Sequence, residues 1–511
     1  MKKTHKLSSL VLGLLLLPLL EVGFSSERAI AHILGDRQEV ASETDPTATD
    51  SENPDGETAA DPELAARLET LAEADLLYLQ GDRAEAEKLY RQVKEPFPEQ
   101  ESSKALEPVY DLEQFDSPAG RVFWREAQAG WNGDPKLESR IFVPLNMLVE
   151  NHPEFVPAHV LLAEAHQHYD RPEEALQALE RAASVFPDSL EVVKAHVTAL
   201  EESKQYLEAS VAARQFALVN SDHPEAPAMM EIADKNLGDF QKYVKQQMVG
   251  KGILGTAIGA GSCAIFGGCS TARAVGQAVG LGALMLQGES GLGKQLSDSY
   301  KQQLELVEDE EVLEYVNKIG FALAELMGRD FEYEFNVVRD DTINAFVLPG
   351  GKVFINTGAI LNTNSEAELA GLLAHEIAHA VLSHGFEQFA SSQLNNSLGQ
   401  VIDGALGNKL PIGSIISTLV NLKYSRTHER QADVVGTRVL ATAGYAADGL
   451  RNLMVTLAEN QGNSSPPGFL STHPASKDRV GYIEELIESN GYNRFSFEGV
   501  EKHAAIQERL K

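Results

Sequence analysis

The sequence predicts two folded parts in series: an all-α solenoid of helix pairs, then an α+β domain that is mostly helical with a small sheet. Three observations carry this expectation. Small residues and prolines recur with a 34-residue period ahead of position 240. Short β-type runs flank a Pro-Gly-Gly turn at Pro349 to Gly351. After them the helix-forming stretch "LLAHEIAHAVLSHG", Leu372 to Gly385, holds three histidines and a glutamate within ten residues. A chain of 511 residues exceeds what one core can organise, so two or three domains are expected. Its 43 Lys and Arg against 75 Asp and Glu give a formal net charge of −32, which repels phosphate and excludes nucleic acid as a partner.

Residues 1–31 read as a signal peptide or signal anchor. A basic start is followed by an apolar run from Leu10 to Leu20, 11 residues against the roughly 20 a spanning helix needs, and by a small-x-small site at Ala29 to Ala31. The protein is therefore expected to be exported, to the periplasm or to a membrane surface outside the cytoplasm. Residues 32–63 form an acidic linker: Asp36 to Glu63 carries ten acidic residues, one basic residue and almost nothing large and apolar, so it has no means of building a core. In residues 64–240, Ala86 stands twelve before Pro98, Ala175 twelve before Pro187, and Ala209 follows Ala175 by 34. This spacing resembles the tetratricopeptide repeat, whose helix pairs stack because each alone leaves an apolar face bare. His159, His166 and His168 are read as ordinary repeat surface residues, since no carboxylate or thiol pattern accompanies them.

Residues 241–295 form a glycine-rich, small-apolar connector, expected as a loose helical hairpin resting on the protein or on a lipid surface. Its two cysteines, Cys263 and Cys269, are the only ones in the chain and fit either a small disulfide loop or two separate buried thiols. "GESGLGKQ" at its end imitates a phosphate-binding loop but has Gln295 where that loop needs a hydroxyl for magnesium. Residues 296–511 complete the chain as the α+β domain. Ser365 and Glu368 have the spacing of a capping box and announce its first long helix.

At about 100° per residue, His379 falls about 40° from His375 on that helix and Glu376 lies within the same arc. Two imidazoles can then hold one zinc ion per chain while the carboxylate reaches its bound water and acts as general base. His384, nine residues from His375, is turned to the opposite side if the helix continues, and is assigned a structural place at the helix C-terminus. A third protein ligand is needed. In "YSRTHERQADVVGTRVLATAGY" Glu429 can supply it, with Asp433 one turn on fixing a ligand histidine's tautomer. His428 competes with Glu429, and spacing alone does not choose between them.

"HEIAH", with "SRTHERQAD" about fifty residues later, "NAFVLPGGKVFINTGAI" before it and "STHPASKDRV" after it, resembles metallopeptidase family 48, the HtpX-like and BepA-like zinc endopeptidases of gluzincin type, over roughly Leu296 to Ile487. The resemblance implies a zincin-like α+β fold with metal ligands at His375, His379 and Glu429. It implies general base Glu376 and an outer aspartate at Asp433. It also implies a role for His473, either polarising the developing oxyanion or occupying the fourth metal position to hold the enzyme latent. Asn344, Ala345 and Phe346 match the strand beside the cleft, an exposed edge to which an extended peptide could add. Protein or peptide substrates, protein partners on the repeats and an envelope quality-control setting are implied as well. The competing expectation is a repeat-based chaperone or assembly factor whose zinc site is latched and seldom cleaves.

Overall fold

The computed structural model describes residues 62–98, 108–250, 288–390, 412–459, 468–473 and 477–511. The signal region, nearly all of the acidic linker, and most of the glycine-rich connector with Cys263 and Cys269 lie outside the described residues. Among the described residues no helix is long and apolar enough to cross a membrane.

The sheet is built from β1 (Glu334–Val338), β2 (Ala345–Leu348) and β3 (Lys352–Asn356), in the order β1-β3-β2. β1 runs parallel to β3, whereas β2 pairs with β3 antiparallel, with Phe346 opposite Phe354. The tight connection between β2 and β3 needs Gly350 and Gly351 at φ of 74° and 76°, a region closed to most side chains. Alternation along the strands sends Ala345, Val347, Val353 and Ile355 into the main core, and Phe346, Leu348 and Phe354 into a second cluster on the other face. Every residue of β2 and β3 is buried, as expected of strands covered on both sides. β2 lies at one edge of the sheet, helices from before and after the sheet pack on it, and Phe469 N donates to Ile343 O at 2.9 Å just ahead of the strand.

Helices α1 (Pro62–Leu79), α2 (Arg83–Val93), α3 (Pro118–Trp131), α4 (Glu138–Asn151), α5 (Val156–His168), α6 (Pro172–Val185), α7 (Leu190–Glu202), α8 (Tyr206–Val219) and α9 (Ala226–Gly250) precede the sheet. From α3 to α9 each packs on the next, and Ala175 and Ala209 lie buried at the helix contacts. The pair α1–α2 belongs elsewhere. Asp75 accepts from the backbone N of Glu498, Gly499 and Val500 at 2.8 to 3.1 Å, and Lys94 Nζ reaches Asp448 Oδ1 at 2.7 Å and Arg494 O at 2.6 Å. This hairpin is therefore anchored to the C-terminal part of the chain. His159 departs from the surface reading: only 4 % exposed, its Nε2 lies 2.9 Å from Pro153 O, so it ties a loop to its own helix.

α10 (Gly288–Lys301) and α11 (Glu310–Leu326) lead into the sheet, and α12 (Thr357–Leu361) follows β3. "GESGLGK" forms the opening turns of α10, so the phosphate-loop imitation is helical. α13 (Glu366–Val381) is buried at every position and packs against β2 and α11, and against α15 (Arg426–Thr442) and α16 (Gly449–Glu459). A helix apolar on every side belongs inside a core, and α13 departs from that only at its terminal glutamates and its histidine–glutamate motif. α14 (Ile412–Val420), α17 (Gly468–Thr472), α18 (Lys477–Ser489) and α19 (Val500–Leu510) complete the described elements.

Candidate metal centre and active site

Ser365 starts α13: its hydroxyl accepts from Glu368 N at 3.2 Å, while Glu368 Oε2 reaches back to Asn364 N at 2.9 Å. From that start His375 and His379 are one turn apart, and their Nε2 atoms converge to 3.0 Å. α15, capped by Ser425, brings Glu429 across from them, with its oxygens 3.6 Å from each Nε2. His473, just past α17, sets Nδ1 at 2.9 Å from Glu429 Oε1 and 3.3 Å from His375 Nε2. Donor atoms of all four residues lie within 4.8 Å of one another, and all four residues are buried.

These separations suit a single ion. Tetrahedral ligands at about 2.0–2.2 Å from a zinc stand roughly 3.3–3.6 Å from one another. Two imidazole nitrogens 3.0 Å apart cannot both carry a proton, and facing lone pairs repel unless a cation lies between them. Glu376, fully buried beside them, has no hydrogen-bond partner at either oxygen among the described residues, with His473 Nε2 3.5 Å from Oε1.

Burial pushes the Glu376 carboxyl up to about 7, against the pull of His473. Burial also holds His375 and His379 below the usual imidazole range, His379 further because other histidines surround it. For His473 burial is outweighed by Glu429 and Glu376, which raise it. Glu429 and Asp433 resist the upward push of burial because His473 lowers the first and Arg479 the second.

Asp433 Oδ1 lies 3.0 Å from His375 Nδ1, the nitrogen facing away from the cluster. Arg479 holds both Asp433 oxygens at 2.7 Å and also touches Glu429 Oε2 at 2.6 Å. The sequence reading gave Arg479 no role, although it lies within "STHPASKDRV"; the signal available was a cation six residues past His473. Tyr424, also unassigned, stacks on the His379 ring at 3.9 Å between centroids.

His384 does not turn away. α13 ends at Val381, Ser383 adopts φ 62°, and His384 opens the next helical segment. The break swings its Nδ1 to 2.9 Å from His379 Nδ1, and its Nε2 to 3.0 Å from Gln431 Oε1. The expectation failed because it assumed helical continuity through Ser383. His428 stacks on the His384 ring at 4.2 Å and its Nδ1 lies 3.0 Å from Gln388 Nε2, apart from the four-donor cluster. Just ahead of β2, Asn344 has a buried Oδ1 with no hydrogen-bond partner among the described residues, while Ala345 and Phe346 are 1 % and 9 % exposed.

The profile of Peptidase family M48 matches residues 308–487, the stretch that supplies all four donors. This stretch of the chain resembles peptidase family M48. Over 179 residues, 34 % of the chain, it is 33 % identical to the mitochondrial metalloendopeptidase OMA1 of Schizosaccharomyces pombe, covering 52 % of that protein. It is 31 % identical to a putative beta-barrel assembly-enhancing protease of Vibrio cholerae over 201 residues, 36 % of the chain and 41 % of the relative. With the beta-barrel assembly-enhancing protease of Escherichia coli O157:H7 it shares 28 % identity over 209 residues, covering 42 % of that protein. The chain thus spans about half or less of the length of these relatives. The M48 part includes α11, the sheet, α13 and α15, so the family resemblance falls on the elements that hold the cluster.

Proposed function

We propose that the protein is a zinc-dependent metalloendopeptidase that hydrolyses peptide bonds of misfolded or envelope proteins. The observation that supports this reading is the buried convergence of His375, His379 and Glu429 donors beside Glu376, which makes no hydrogen bond among the described residues. A zinc ion held there supplies Lewis acidity toward a peptide carbonyl and acidifies water. Glu376, buried beside the donors, would take the proton of the attacking water and return it to the leaving amine. Asp433, steadied by Arg479, keeps the His375 proton on Nδ1 and leaves Nε2 free to bind. The helix pairs from α3 to α9 act as tetratricopeptide-like repeats that bind substrates or partners, and the chain works outside the cytoplasm, in the periplasm or at a membrane surface.

His473 favours a second reading. Its Nδ1 lies with the other three donors as a fourth, an arrangement that suits a latched centre in a repeat-based chaperone or assembly factor. One comparison separates the two: zinc content, and cleavage of an unfolded protein, in wild type, Glu376→Gln and His473→Ala. We expect Glu376→Gln to keep zinc and to lose about 100-fold or more in cleavage; a zinc-loaded variant that still cleaves sinks the mechanism. A large gain in His473→Ala supports latching.

A further inference from the structure

The M48 match begins at residue 308, yet a hydrogen-bond chain enters the metal cluster from the repeat region nearly a hundred residues earlier. α8 packs on α15, and Gln215 of α8 is buried at that contact. Gln215 Nε2 lies 3.4 Å from Leu382 O, in the turn that ends α13, and Gln215 Oε1 lies 3.3 Å from Gln431 Nε2. Gln431 Oε1 faces His384 Nε2 at 3.0 Å, and His384 Nδ1 faces His379 Nδ1 at 2.9 Å.

The direction of every link follows from one end. A backbone carbonyl only accepts, so Gln215 must present its amide N–H to Leu382 O, which leaves its carbonyl oxygen for the Gln431 amide. Gln431 then has its own oxygen toward His384, whose Nε2 must carry the proton. Neutral His384 is left with a bare Nδ1, which accepts from His379 Nδ1–H. His379 Nε2 is thereby a lone pair aimed at His375 Nε2 and Glu429, the form a cation requires. Burial keeps His384 well below the usual imidazole range, in keeping with its neutral place in this chain.

Three further contacts hold the turn on which the chain depends. Arg329 donates to Val381 O at 3.0 Å and to Ser383 Oγ at 2.8 Å, and Ser383 Oγ lies 2.8 Å from Glu289 Oε1. They fix the left-handed Ser383 that turns His384 back toward His379.

We propose that His384, Gln431 and Gln215 are positioning residues for the metal ligand His379, so that a helix of the repeat region forms part of the metal centre. The reading rests on the zinc site proposed above. It implies that whatever shifts α8 against α15 changes metal affinity without touching a ligand.

The test uses the full-length chain and zinc alone, its affinity read by competition with a chromophoric chelator and its ligand field by cobalt absorption. We expect His384→Ala and Gln431→Leu to weaken zinc binding roughly 10- to 100-fold. Gln215→Leu, one link further out, should weaken it about 2- to 10-fold, the equivalent of one neutral hydrogen bond. His384→Asn, whose side-chain oxygen stands where Nδ1 does, should recover most of the loss. In a His384→Ala background Gln215→Leu should have no further effect. The proposal is overturned if the Gln215 and His384 effects multiply, if His384→Asn binds no better than His384→Ala, or if all variants bind zinc like wild type. Should His384→Ala fail to fold, the Gln215→Leu and Gln431→Leu pair gives the same cycle. A wild-type chain that binds no zinc overturns the site itself; a wild type that binds, with variants that bind equally, overturns only the relay.

Discussion

Replacing Lys94 by Met removes a buried cation and keeps its apolar stem. Lys94 is almost fully enclosed, with Nζ at 2.7 Å from Asp448 Oδ1 and in contact with Glu498, both carboxylates equally enclosed. Asp448 retains Arg494 Nε at 3.3 Å, and Glu498 retains only the Ser365 hydroxyl at 3.0 Å among the side-chain partners described. The variant therefore buries one poorly compensated negative charge, which costs about 3–5 kcal/mol. The carboxylates raise the lysine above its usual range despite burial, so its contribution is fully present below pH 10.5 and is lost only as pH rises through that raised value. The deficit should accordingly be constant from pH 6 to 9. Urea unfolding followed by circular dichroism measures it, and hydrogen exchange in residues 495–510 locates it, because Asp75 caps α19 from the same hairpin. Adding Glu498→Gln to Lys94→Met should recover at least half the loss, since an apolar or neutral replacement of a whole buried pair is often tolerated. A loss below about 1 kcal/mol, or one that Glu498→Gln leaves unchanged, would refute this account of how α1–α2 is held.

Gly293→Ala should lower stability by the upper end of about 1–3 kcal/mol or more, since a Cβ there would meet Pro349 O at 1.7 Å; a melting temperature within a degree of wild type contradicts that packing. Burial holds the Glu376 carboxyl up to about 7 in the metal-free chain and a bound dication would pull it down, so cleavage at fixed zinc occupancy should climb with pH and reach half its plateau below pH 7; a midpoint above 7 removes Glu376 as the base. The same raised carboxyl supports the metal-free fold below pH 4.5, and that support is lost as pH rises through about 7. Chelator-treated wild type should thus lose stability relative to Glu376→Gln as pH climbs, read by parallel unfolding curves. Zinc at 100 times its dissociation constant should stabilise the chain by about 2.7 kcal/mol, and a melting temperature that chelation leaves unmoved argues against a bound metal.

Helical period and a capping signal were enough to set His375, Glu376 and His379 on one buried arc. The Ser365 hydroxyl does accept from Glu368 N, and the helix begins one residue later. Strand alternation and the Pro-Gly-Gly turn likewise located the sheet, because both signals are local. What escaped was non-local or depended on a backbone break. Nothing in "VLSHG" announces that Ser383 takes a left-handed conformation, which needs Arg329 and Glu289 from other elements to hold it. The docking of Asp75 on Val500 joins positions 425 apart, beyond any periodicity in either segment. Burial of β2 on both faces is equally tertiary: the strand reads the same whether a helix or water lies over it.

Charge explains why these buried groups tolerate one another. Glu376, Glu429 and Asp433 bring three negative charges into one enclosed volume, and Arg479 returns one positive charge to Glu429 and Asp433. With His375, His379 and His473 all neutral, the balance is two negative charges, the charge a divalent cation would cancel. When no such cation balances them, the same groups must shed charge by taking up protons. Glu376, held up to about 7 by burial, and His473, raised by Glu429 and Glu376, are the groups placed to do so. A monovalent ion would leave one charge uncancelled, and an all-neutral site would have no use for Arg479. The converging nitrogen and oxygen donors and the surplus carboxylate charge are each what a divalent metal ion would meet.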